Sequence, residues 1–160
     1  MVAAAYLDPA WLARQDPTRD FAFLTVKPRW ISGRRVQIEQ VTGANRLGIR
    51  VVRGRRIAIP AYPGGTNNDP VTCTVPVYYD GFYPAFDCNP YVGGTSGAPF
   101  LLQTARGMTV VGVIGGLHQG GCTPATSYSP PLGRPALRAY LRAADRAPAD
   151  TAPAAGSDGC

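Results

Sequence analysis

Apolar residues along this chain fall in short runs of strand length, and glycine or proline ends nearly every one. Residues 10–15 allow a single helical turn, confined by Pro9 and Pro17. Asp20 then opens Asp-Phe-Ala-Phe-Leu-Thr-Val, a run rich in aromatic and branched residues that Pro28 closes. Such a run reads as a strand. Val36, Ile38 and Val41 predict another, ending at Thr42-Gly43. Residues 47–53 and 56–62 predict a hairpin that turns at Gly54 and stops at Tyr62-Pro63-Gly64-Gly65. Val75, Val77 and Tyr79 alternate with other positions, the period of a half-buried strand.

Residues 84–92 read as loop and lead into Gly93-Gly94-Thr95-Ser96-Gly97. The apolar stretch 99–102 is short, and 108–114 is the clearest buried strand, ended by Gly115-Gly116. Residues 126–129 predict a last strand. Residues 135–147 predict the one good helix, with proline in its first turn and Leu137, Tyr140 and Leu141 on one face. The remainder, 147–160, is Ala, Pro, Gly, Asp and Ser, a composition of disordered tails. The pattern is all-β with a C-terminal helix.

Composition agrees with that pattern. The 160 residues support one domain, and 19 Gly with 16 Pro leave little room for long helices. Lys and Arg exceed Asp and Glu by 16 to 10, much of the excess at Arg46, Arg50, Arg53, Arg55 and Arg56. These arginines alternate with Ile49, Val51, Ile57 and Ile59, which makes them the solvated faces of a hairpin. Without interleaved aromatics they make a poor stacking surface for nucleic acid. No apolar stretch has the length of a membrane span.

The four cysteines, Cys73, Cys88, Cys122 and Cys160, show no paired metal spacing, and His118 is the only histidine. No metal or cofactor is expected. Disulfides are, and with them an oxidising compartment. Cys73 and Cys88 flank a turn-rich aromatic loop and are the first candidate pair; Cys88 with Cys122 competes, and Cys160 need not pair. The first residues carry no basic start, and Asp8 and Pro9 break their apolar run, so they do not read as a signal peptide.

The chemistry centres on Ser96. A serine attacks a carbonyl only when a base takes its proton and donors stabilise the oxyanion. Gly93 and Gly94 let backbone amides converge, and the amides of Gly94 and Ser96 are the candidate oxyanion donors. The Gly-x-Ser-x-Gly elbow of α/β-hydrolases fits poorly, because position 98 is alanine and a helix does not follow. A plain glycine-rich turn capped by its serine is the structural alternative.

The run Gly93 to Pro99 resembles the Gly-Asp-Ser-Gly-Gly-Pro signature of chymotrypsin- and trypsin-like serine peptidases, with Thr95 and Ala98 in place of the Asp and the second Gly. Residues 109–116 resemble that family's strand beside the specificity pocket. Residues 19–24 resemble its catalytic Asp opening an apolar strand, and residues 57–63 its Gly-Tyr-Pro-like strand end. Tyr128 followed by the helix is similar to its usual finish. The resemblance is closest to secreted bacterial members and covers about residues 5–146. It implies a double β-barrel with the first barrel incomplete, a monomer, and a peptide or protein substrate with no nucleic acid or membrane partner. It also implies Ser96 as nucleophile, Asp20 as the orienting acid, and Ile114, Gly115 and Gly116 as substrate-binding residues.

Two departures follow. Thr95 cannot pair with a new N-terminus as the family's Asp does. The family's histidine precedes the Asp, and no histidine precedes Asp20 here. His118 lies past Gly115-Gly116, where the resemblance implies the pocket rim and not the base. Without its histidine, Asp20 is expected to lack a partner. The expectation is therefore a peptidase domain at 1–146 whose export signal and histidine are encoded ahead of Met1, the chain itself being nearly inactive. A peptide-binding pseudopeptidase and a basic β module for polyanions are the alternatives. Near Pro90 and Tyr91, at the implied pocket base, no carboxylate is available for an Arg or Lys side chain.

Overall fold

The computed structural model describes residues 1–64, 69–89 and 91–154. The chain begins with β1 (Val2–Leu7), α1 (Pro9–Arg14), β2 (Ala22–Val26), β3 (Arg29–Ile31), β4 (Arg34–Val36) and α2 (Glu39–Thr42). It continues through β5 (Arg46–Leu47), β6 (Arg56–Ala58), β7 (Thr74–Pro76), β8 (Tyr78–Asp80) and β9 (Tyr83–Asp87). The last elements are β10 (Pro99–Thr104), β11 (Gly107–Val113), β12 (Thr126–Tyr128) and α3 (Gly133–Ala144). No helix among the described residues is long and apolar enough to cross a membrane.

Among the described residues the strands form four separate sheets: β1-β2, β3-β4, β5-β11-β10-β6-β7 and β12-β9-β8. None closes on itself, so the expected pair of barrels is not formed; the sheets are open. The chain passes from β7 in one sheet to β8 in the next at Val77, whose N–H donates to Arg55 O at 2.9 Å and whose carbonyl accepts from Gly54 N at 2.7 Å. At the other end of the large sheet, β5 is only two residues long and pairs in parallel with β11 alone.

The core lies between the two larger sheets. Ile57, Ile59, Val77, Phe86 and Phe100 are essentially inaccessible, and Phe86 meets both Tyr91 and Phe100 edge-on at centroid separations of 5.0 and 5.2 Å. A second, smaller cluster joins Phe21 to Leu132, Ala136 and Ala139.

Several expectations change. The hairpin across 47–53 and 56–62 is absent, although a tight turn at Gly54 exists, with Arg55 N donating to Val52 O at 3.1 Å. Residues 46–48 are captured by β11 instead: Gly48 N donates to Val110 O at 2.8 Å, and a Cβ at Gly48 would lie 2.8 Å from Thr109 Cγ2. Only glycine permits that approach. The five arginines are all exposed, as solvated positions should be.

The strand expected around 36–41 splits into the end of β4 and the single turn α2, and both Ile38 just ahead of the turn and Val41 within it are exposed. The helix-forming Gln-Ile-Glu-Gln sequence accounts for it, with the Gln40 side chain accepting from Gln37 N. Residues 84–87, read as part of a loop, belong to β9, which is paired on both sides. Helix α3 buries Ala136 and Ala139 and leaves Leu137, Tyr140 and Leu141 partly exposed. The small alanine face lets the helix lie close on Phe21.

The start of the tail, around Asp150, is anchored along β1. Asp150 N donates to Ala5 O at 2.9 Å, its carboxylate accepts from Leu7 N at 2.8 Å, and Arg142 grips both its oxygens at 2.9 Å. The guanidinium holds the Asp150 carboxyl below the usual carboxylate range. Cys160 lies outside the described residues.

Candidate active site

Ser96 sits at the tip of a turn fixed from both sides. Ahead of it, Cys88 is bonded to Cys73, the first of the expected pairs, and Cys122 is separately disulfide-bonded, which excludes Cys88 with Cys122. Cys88 N donates to Ala125 O at 2.8 Å and Tyr91 N to Pro124 O at 3.2 Å. After the serine, Gly97 N donates to Ile114 O at 2.8 Å and Ile114 N to Ala98 O at 2.9 Å. Strand β10, not a helix, follows, which disposes of the α/β-hydrolase elbow.

Within the turn, Thr95 is buried and its hydroxyl donates to Val92 O at 2.9 Å. The threonine therefore closes the turn locally, where an aspartate would leave a charge needing a partner. Gly94 has φ +95°, and a Cβ there would lie 2.3 Å from Gly64 N. Both the dihedral and the close backbone approach require glycine. Ser96 itself is exposed. Among the described residues, neither the Gly94 nor the Ser96 amide donates to a backbone carbonyl.

Asp20 lies at the end of a 3₁₀ turn spanning Pro17–Arg19. Contrary to expectation it has a partner: its Oδ2 accepts from Gly116 N at 2.8 Å. It is half-buried, not fully enclosed. Gly115 makes room for it, since a Cβ there would stand 3.1 Å from that oxygen. Ser96 and Asp20 line one cleft of about 520 Å³, with Ile114 and Gly115 in its wall. Asp20 is the only titratable side chain lining it among the described residues.

The amides of the three expected substrate-binding residues are engaged within the protein. Ile114 N reaches Ala98 O, Gly115 N reaches Tyr128 O at 3.0 Å, and Gly116 N is held by Asp20. Ile114 contributes as wall. His118 is exposed in the turn Leu117–Gly120, in the left-handed region at φ +49°, with its ring 6.4 Å from that of Tyr128. It lines neither the cleft nor the smaller pocket beside it, whereas the next residue, Gln119, lines both. Gln119 was not singled out from sequence. The signal available was its place between two glycine pairs, Gly115-Gly116 and Gly120-Gly121.

This arrangement, a serine at a pinned turn and an aspartate lining the same cleft, lies on a fold that resembles those of solved proteases. Two solved structures carry the resemblance. One is a thermostable serine protease, AL20, from an extremophilic microorganism, with TM-score 0.73 and 22% identity over 90% of this chain and 68% of that one. The other is the protease Anisep from Arthrobacter nicotinovorans, with TM-score 0.72 and 20% identity over 90% of this chain and 66% of that one. The chain thus spans about two-thirds of the length of each. No protein-family model matches the chain, and no curated protein matches it by sequence.

Proposed function

We propose that the chain is part of a secreted serine endopeptidase, with Ser96 as the nucleophile and the Gly94 and Ser96 amides as oxyanion donors. Asp20 orients a histidine that comes from polypeptide outside residues 1–160. The observation that carries this reading is the meeting of Ser96 and Asp20, remote in sequence, on one cleft. The histidine would stand between them, accept the Ser96 proton as the hydroxyl oxygen bonds to the scissile carbonyl carbon, and return it to the leaving amine. Asp20 would hold the imidazole in the required tautomer and stabilise its charged form.

Alone, the chain should turn over hardly at all, since losing the histidine of such a triad costs on the order of 10⁶ in rate. What remains comes from oxyanion donors and binding. A peptide-binding pseudopeptidase is the second reading, favoured by a cleft lining that, among the described residues, holds Asp20 as its one titratable side chain and no histidine. The two separate on one experiment. The chain joined to the polypeptide encoded in frame ahead of Met1 is treated with a fluorophosphonate. Labelling that Ser96→Ala abolishes is expected; an extended chain that carries a histidine yet stays unlabelled favours the pseudopeptidase.

A further inference from the structure

Away from Ser96, a cavity of about 420 Å³ opens between residues 49–53, Tyr79 and the start of α3, and it shares no lining residue with the cleft. Val51, Val111 and Leu132 line it and are themselves buried. Small-ligand sites are mostly apolar, carry a few polar groups and enclose about 300–1,000 Å³. Here the polar groups are cationic. Arg50 and Arg53 both line the cavity, and no lining residue among those described is acidic.

Tyr79 sets Arg53 in place. The Arg53 Nη2 donates to Tyr79 O at 3.4 Å, and the guanidinium carbon lies 5.9 Å from that ring's centroid. The Tyr79 hydroxyl donates in turn to Val51 O at 2.6 Å. The ion pairs among the described residues join Arg14 to Asp16, Arg19 to Asp8 and Arg142 to Asp150, so neither Arg50 nor Arg53 is already matched to a carboxylate. Helix α3 begins at the same cavity, where Gly133 N donates to Ile49 O at 3.1 Å. Its first turn holds no acidic residue and no side chain caps it, so the positive end of its dipole adds to the two arginines.

We propose that this cavity binds a monocarboxylate with a compact apolar body. Its carboxylate meets Arg50 and Arg53, and its apolar part lies on Val51, Val111 and Leu132. A free aromatic acid and the C-terminal residue of a peptide share that chemistry. The site does not depend on the role of Ser96.

The test follows the backbone amides of Val52, Val111 and Gly133 in the 160-residue chain while ligands are titrated in. 4-Phenylbutyrate should shift them and bind about tenfold more tightly than 4-phenylbutylamine, for which attraction to the arginines becomes repulsion. Rising salt should narrow that gap, because both arginines are exposed. Acetate, which lacks the apolar body, should bind about tenfold more weakly than 4-phenylbutyrate. Arg50→Gln and Arg53→Gln should each weaken 4-phenylbutyrate about threefold. Arg50→Gln decides alone if losing the Tyr79 contact unfolds the other variant. Equal binding of acid and amine, acetate matching 4-phenylbutyrate, unchanged affinity in Arg50→Gln, or amides that do not move overturns the proposal. An acetylated peptide ending in a free Phe, beside the same peptide as its C-terminal amide, separates the two sources. Binding of the peptide acid and not its amide assigns the site to peptide C-termini; binding of 4-phenylbutyrate and neither peptide assigns it to free acids.

Discussion

The two ends of the cleft belong to regions of very different quality. Ser96 stands on the large-sheet side, where Ile57, Ile59, Phe86 and Phe100 are sealed from solvent. Asp20 stands at the edge of the N-terminal layer, in which no residue from 22 to 50 is buried. That layer exposes Leu24, Trp30, Ile31, Ile38 and Val41, with Trp30 73% accessible. Its sheets have two strands each, and isolated two-stranded ribbons are marginal in water. One half of the site is thus built on a finished core and the other on a layer whose apolar surface lacks a cover.

The contrast can be broken most directly by truncating one aromatic in each region. Phe100→Ala should cost about 3–5 kcal/mol in urea unfolding, whereas Trp30→Ala should fall within about 0.5 kcal/mol. Similar losses at the two positions would mean the layers share one core. Next in size is the disulfide. Cys73 and Cys88 close a loop of fifteen residues, so Cys73→Ser should cost about 3 kcal/mol, read as a lowered denaturant midpoint. It should also raise hydrogen exchange at the amides of Tyr91 and Gly97, since that bond fixes the approach to the serine turn.

Smaller again is the bond between the regions. Asp20→Ala removes the acceptor of the Gly116 amide, a hydrogen bond to a charged group worth about 1.5–3 kcal/mol. Faster exchange at Gly116, with β10 and β11 unaffected, is the expected signature. Smallest is the tail anchor. The Asp150 carboxyl is held below its ordinary value first by its hydrogen bond with Arg142. Its contribution is therefore complete above the ordinary carboxylate value and is lost as pH falls through the lowered one. Acidification through that window should loosen residues 148–150 from β1, seen as amide-resonance shifts at Leu7, and Asp150→Asn should flatten the response.

The same division governs what could be read from sequence. The runs at 99–102 and 108–114 declared β10 and β11 because they are short apolar runs bounded by turn residues, although only Phe100, Val111, Gly112 and Ile114 within them are buried. The Gly93–Pro99 segment was legible for another reason: Gly94 is required by a backbone contact that no other residue survives. In the N-terminal layer the pattern misled. Ile38 and Val41 look like core positions but face solvent, so spacing there does not report burial within these residues. Strand β9 was missed because Pro84 and its aromatic neighbours resemble loop, although its partners lie on both sides. Open sheets in place of barrels, and the Asp20 contact with Gly116, depend on how distant segments meet, which no local pattern encodes.

On the proposed reading, Ser96 and Asp20 require a histidine between them to act. Imidazole supplied in solution tests it on the 160-residue chain itself. A positioned general base contributes about 10²–10⁴ in rate, so 100 mM imidazole, roughly a buffer-level concentration without that positioning, should recover a part of this, about tenfold. We predict that it accelerates fluorophosphonate labelling at Ser96, mapped by mass spectrometry, and that Asp20→Ala removes the acceleration. Labelling that imidazole leaves unchanged, or that it raises equally in the Asp20→Ala chain, would contradict the account.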